Sequence, residues 1–210
     1  MARPGPTRRR LLAGAGSGLI GGGLLAAAFE PAATGFERGK AGNVSEDAIP
    51  VEEADTPYAV WQYRPTLLDG DFERTLPINL VGLRSALPIQ HVVEVFEQAG
   101  WVEPVVDQPR VAYDRAEDTF VPPRWAGGTS VYGVAGRVHV RIWEVAETVA
   151  IQAHVDTAPR PVHRMASFAD ARATVELLFE QAGWTVDSQA EHLGNDQSPD
   201  HDGYATVISR

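Results

Sequence analysis

Hydrophobic positions along the chain follow two periods. Ile89, Val92, Val93 and Phe96 recur at the three- and four-residue spacing of a helix face, as do Phe168, Ala171, Val175, Leu178, Phe179 and Ala182. Pro88 suits the first turn of the first helix, and Ser167 with Asp170 three residues on suits a capping box for the second. Other stretches read as extended: Ile78 to Leu83, Arg137 to Val145, Thr148 to Asp156, Tyr204 to Ile208, and the residues after Trp101 and Trp184.

Both helical patterns end on the same six residues, Phe96-Glu97-Gln98-Ala99-Gly100-Trp101 and Phe179-Glu180-Gln181-Ala182-Gly183-Trp184. Helix geometry explains each position: Phe and Ala face a core, Glu and Gln face water, Gly supplies a left-handed cap and Trp packs. The repeat therefore speaks to architecture rather than to binding. It implies an α+β fold in a single domain, with two similar strand–helix–strand units and two helices packed on one face of a mixed or antiparallel sheet.

The segments 137–145 and 148–156 form a hairpin whose register is set by its apolar face. A two-residue loop at Ala146-Glu147, or a four-residue loop spanning Val145 to Thr148, opposes Val138 with Val155, Val140 with Ala153 and Ile142 with Ile151. The other face then opposes Arg137 with Asp156, His139 with His154, Arg141 with Gln152 and Trp143 with Ala150. Directly opposed side chains have Cβ atoms only ~5 Å apart, so two imidazoles meet there. A one-residue slip would mix the faces. The loop lacks the Gly or Asn that hairpin turns favour.

This face holds the candidate chemistry. His139 and His154 are candidate acid–base groups, and with Asp156 and His163 they form a candidate ligand set for a first-row metal. Arg137, Arg141, Gln152 and Asp156 are candidate binding residues. The plain alternative is a half-exposed strand surface with an ordinary Arg–Asp surface pair. No cofactor is indicated. Asp196, Asp200, His201 and Asp202 precede Gly203 without the spacing or closing Glu of a calcium loop, and read as a solvated loop.

Charge and termini add the cellular setting. Thr7-Arg8-Arg9-Arg10-Leu11-Leu12 resembles a twin-arginine export signal, with Arg8 and Arg9 as the pair. Residues 11–29 carry no charge and six glycines, so 1–29 reads as a cleavable signal or an N-terminal membrane anchor. Residues 30–56 read as an acidic, Gly- and Ala-rich linker, and 57–210 as the folded domain, long enough for one real core. Residues 1–29 hold four of the 18 basic residues and none of the 28 acidic ones, leaving 14 against 28 in the remainder. Lys40 is the sole lysine, and this acidic composition resembles that of haloarchaeal proteins. No basic stripe is left for nucleic acid. The chain has no cysteine, which excludes disulfides, thiol catalysis and Cys-ligated metals.

The order of short motifs resembles the LssY C-terminal domain family. These are Pro77-Ile78-Asn79-Leu80-Val81, Ala99-Gly100-Trp101, Arg137 to Trp143, Ala153-His154-Val155-Asp156, His163, Ala182-Gly183-Trp184 and Asp202-Gly203-Tyr204-Ala205. The family's relatives often sit beside membrane phosphatase domains, and the resemblance brings no catalytic residues with it. The residues favour a non-catalytic envelope domain that binds a protein or small ligand at its surface. Its partners would be an envelope protein and, through an uncleaved N-terminal segment, the membrane. The alternative is a metal-assisted hydrolase or phosphotransfer enzyme using the His/Asp cluster.

Overall fold

The computed structural model describes residues 56–66, 72–103, 109–131, 134–157 and 165–210. The proposed signal at 1–29, nearly all of the linker at 30–56, and His163 lie outside them. The described residues form an α+β fold with two sheets and two helices. Among them, no helix is long and apolar enough to cross a membrane.

The larger sheet has seven strands. Its main order is β10 (Thr185–His192), β11 (Tyr204–Ser209), β3 (Leu80–Leu83), β8 (Thr148–Asp156), β7 (Val138–Val145) and β6 (Trp125–Gly128), with the short β9 (Met165–Ser167) paired to β8. The sheet is mixed, because β11 runs parallel to β3 while β3 runs antiparallel to β8. The smaller sheet is antiparallel, in the order β2 (Phe72–Pro77), β1 (Trp61–Pro65), β4 (Val111–Asp114) and β5 (Thr119–Val121).

Helix α1 (Ile89–Gln98) buries Ile89, Val92, Val95 and Phe96. Helix α2 (Ala169–Gln181) buries Ala171, Val175 and Phe179. These side chains share one core with Leu80, Val140, Ile142, Ile151 and Ala153 of the large sheet. The outcome differs from the expected pattern: Val95 is buried, Val93 and Leu178 are only partly so, and Ala99 and Ala182, expected to face the core, are exposed. Pro88 stands just before the first helix. Ser167 Oγ accepts the Asp170 N–H at 2.9 Å, which is the serine half of the expected capping box.

The two helix ends are alike. The N–H of Gly100 donates to Glu97 O and that of Trp101 to Phe96 O; Gly183 and Trp184 repeat this with Glu180 O and Phe179 O. Both glycines are left-handed, with φ of 76° and 81°, completing the cap that stops each helix. Phe96 and Phe179 then meet edge to face with centroids 5.6 Å apart. What flanks the helices is less symmetric. α1 follows β3, but among the described residues Trp101 leads to a single bridge between Val102 and Gly128, whereas α2 runs from β9 into the eight-residue β10.

The plain alternative for the hairpin's other face was a half-exposed strand surface. That face is buried instead. Val81, Trp143, Val145 and Ala150 on that face pack into a second core with Trp61, Tyr63, Val111 and Tyr113 of the small sheet. The layers are therefore helices, large sheet, small sheet.

Candidate functional site

Strands β7 and β8 pair in the register that the apolar alternation requires, with His139 opposite His154, Arg141 opposite Gln152 and Trp143 opposite Ala150. Val145 pairs with Thr148, so the loop is the two-residue Ala146-Glu147. Beyond the last paired rung, the Asp156 N–H donates to Arg137 O. Each polar side chain of this face is buried, with 1% exposure at His154, 2% at Arg137 and Asp156, 5% at His139 and 7% at Arg141. The small sheet packs over Trp143, Val145 and Ala150 and reaches Arg141 through Gln62.

The row is a set of mutual contacts. Arg137 donates from Nε to Ser130 O at 2.7 Å and from Nη1 to Asp156 Oδ2 at 3.4 Å. Its guanidinium lies where a Cβ on Gly128 would fall, 2.4 Å from Nε, so any side chain there would have to displace it. His154 Nε2 stands 3.1 Å from Asp156 Oδ1, and His154 Nδ1 stands 3.1 Å from Gln152 Oε1. The His139 and His154 rings meet edge to face with centroids 5.1 Å apart. Arg141 Nη1 donates to Gln62 Oε1 at 3.2 Å, which ties the row to β1 of the small sheet.

Of the proposed site residues, then, His139, His154, Asp156, Arg137, Arg141 and Gln152 come together. His163, Arg8 and Arg9 are outside the described residues. Both ring nitrogens of His154 already face polar atoms, whereas a metal ligand must direct a lone pair at the ion. Among the described residues, no group of three or more His, Asp or Glu side chains has the geometry to hold a metal ion.

In the second polar cluster Asp196, Asp200 and Asp202 are exposed, as a solvated loop requires, while His201 is buried. Asp200 accepts from Ser167 Oγ at 2.5 Å and from the Phe168 N–H at 2.7 Å, covering the start of α2. Its partial burial pushes its pKa up, but these hydrogen bonds outweigh that and leave it lowered. Arg172 donates to both oxygens of Asp202 and, together with other hydrogen bonds, holds that carboxyl below the usual range. His201 is buried, and burial pushes its pKa down to about 4. Its Nε2 lies 2.8 Å from Asn195 Oδ1, while Asn195 Nδ2 donates to Val60 O and Ile78 O. The cluster is a structural clasp between α2 and the starts of β1 and β3.

Several residues that organise the site stand as single polar groups inside apolar runs. Gln62 sits between Trp61 and Tyr63, and Asn79 between Ile78 and Leu80. Both are fully buried. A polar residue trapped in an apolar strand is the available sequence signal, since burial requires it to find a partner. Comparison with family models, curated proteins and solved structures gives no match.

Proposed function

We propose that the chain is a non-catalytic binding domain of the cell envelope, exported by the twin-arginine route and related to the LssY C-terminal domains. The observation that carries the non-catalytic reading is the enclosure of the hairpin's polar face. His139 and His154 are 5% and 1% exposed, and substrate must reach an acid–base pair for it to act. Arg137 is tied to Asp156, and His154 faces both Asp156 and Gln152 within the protein. Binding of an envelope protein or small ligand is therefore assigned to the outer surface. Export rests on Arg8 and Arg9 with the uncharged stretch that follows, and the relationship to the LssY domains rests on the order of the short motifs. The two FEQAGW segments are read as one strand–helix–strand unit used twice, a reading favoured by their matching helix ends.

The metal-assisted reading keeps one observation in its favour, the 5.1 Å approach of the two imidazoles beside a carboxylate. Metal analysis of exported protein, dialysed in strong salt, separates the two. The binding reading expects no stoichiometric metal. Stoichiometric zinc, manganese or iron that disappears in the His139→Ala/His154→Ala double variant would replace it with the metal reading. Binding itself is tested by incubating the domain with envelope fractions at high salt. A saturable partner is expected, and a domain that retains nothing and whose unfolding midpoint never moves refutes the assignment.

A further inference from the structure

Two buried N–H donors between the sheets meet no acceptor among the described residues. Trp143 and Gln152 are fully buried, and neither the indole Nε1 nor the amide Nε2 meets a hydrogen-bond partner. The indole is a donor by its chemistry. The amide is a donor in the orientation that lets its oxygen accept from His154 Nδ1. Buried donors are nearly always satisfied, so an unmet pair in one place calls for an acceptor.

The register makes these donors neighbours. Arg141 opposes Gln152 across the hairpin, and Trp143 stands two residues from Arg141 on the same face. Opposed Cβ atoms lie ~5 Å apart and diagonal ones ~7–8 Å, within reach of a single small group. The Arg141 guanidinium stands in the same space, with its Nη1 reaching Gln62 Oε1 of the small sheet. An acceptor placed beside a guanidinium gains most when it is negatively charged.

We propose that the domain holds a small oxyanion, of carboxylate or phosphate type, between its two sheets. Trp143 Nε1, Gln152 Nε2 and the Arg141 guanidinium donate to it. Because the row is buried, the anion is captured as the domain folds. The inference goes beyond surface binding and stands whether or not an outside partner is found.

The test uses the full chain with ¹⁵N-labelled tryptophan, which gives five indole signals, the Trp143 signal being identified by Trp143→Phe. Protein is unfolded in urea and refolded in chloride alone, or at matched ionic strength with acetate or inorganic phosphate. The expected result is a saturable shift of the Trp143 indole signal in one of the anions. The unfolding midpoint should also rise by roughly 5–10 °C at ~100 times the dissociation constant. Gln152→Glu, which replaces a donor with a negative charge, should abolish both effects. If that variant fails to fold, the titration of the unaltered protein still decides. A Trp143 signal and a midpoint that ignore both anions would overturn the proposal and leave internal water as the acceptor.

Discussion

The carboxylate of Asp114, at the end of β4 in the small sheet, accepts the backbone N–H of Ala146 at 3.0 Å in the β7–β8 turn of the large one. Its other oxygen accepts from Ala116 and Glu117. Ala146 is left-handed, with φ of 48°, a conformation that usually calls for glycine or asparagine. A remote side chain thus supplies part of what the turn sequence lacks. Asp114→Ala leaves these donors unmet and should cost about 2–4 kcal/mol. Ala146→Gly relieves the left-handed strain and should add up to ~1 kcal/mol. Urea unfolding of the two variants measures both signs.

Asn79 stands in for a strand rung. Its Nδ2 donates to Ala153 O at 2.8 Å and its Oδ1 accepts the Ala153 N–H at 2.9 Å, just before β3 begins. Asn79→Leu keeps the volume but strands both groups of Ala153, and should lower stability by about 2–4 kcal/mol. Asn79→Asp keeps the acceptor, loses the donor and buries a charge, so it should be no better. Thermal unfolding of both variants checks the order.

The helix caps give a matched pair of substitutions. A Cβ on Gly100 or Gly183 would meet nothing within 4 Å, so Gly→Ala costs only the left-handed backbone term at each site. Each variant should lose about 1 kcal/mol, and the two losses should agree within ~0.5 kcal/mol. Unequal losses in urea unfolding would show that the two FEQAGW segments are not equivalent units.

His201 makes the fold acid-sensitive. Unfolded, the imidazole takes its proton near pH 6.5; folded, burial delays this to about pH 4. Between those values the unfolded chain binds more protons, so stability falls as pH drops from about 6.5 to about 4, by on the order of 3 kcal/mol. Asp200 and Asp202, both lowered from 3.8, hold stability above that value and lose it as pH falls further. His201→Gln should flatten the upper limb while leaving the lower one. Unfolding midpoints measured from pH 7 to pH 3 follow both.

The sequence showed the hairpin register because a strict period of two leaves one pairing that keeps the faces apart. It showed the helix ends because Gly and Trp fall at fixed offsets from an apolar stripe. It did not show the small sheet. β1, β2, β4 and β5 are three to six residues long, and pairs such as Gln62 with Ala112 lie fifty residues apart in the chain, so no local period reports them. Without that sheet Trp143 and Arg141 look half-exposed, Gln62 has no role, and Asp114 cannot be linked to a turn. For the same reason, His201 looked solvated when its partner Asn195 was bound at the starts of β1 and β3.

The enclosure of the polar row can be measured directly, because the chain has no cysteine of its own. Ala150 is fully buried on the row's face, opposite Trp143, and Ala190 is exposed on the edge strand β10. Thiol labelling of native Ala150→Cys should be at least ~100-fold slower than that of Ala190→Cys, the factor set by an opening free energy of about 2.7 kcal/mol. The two should become equal in denaturant. Native rates that agree within a few-fold would contradict the account, placing His139, His154 and Asp156 on an open face where catalysis could operate.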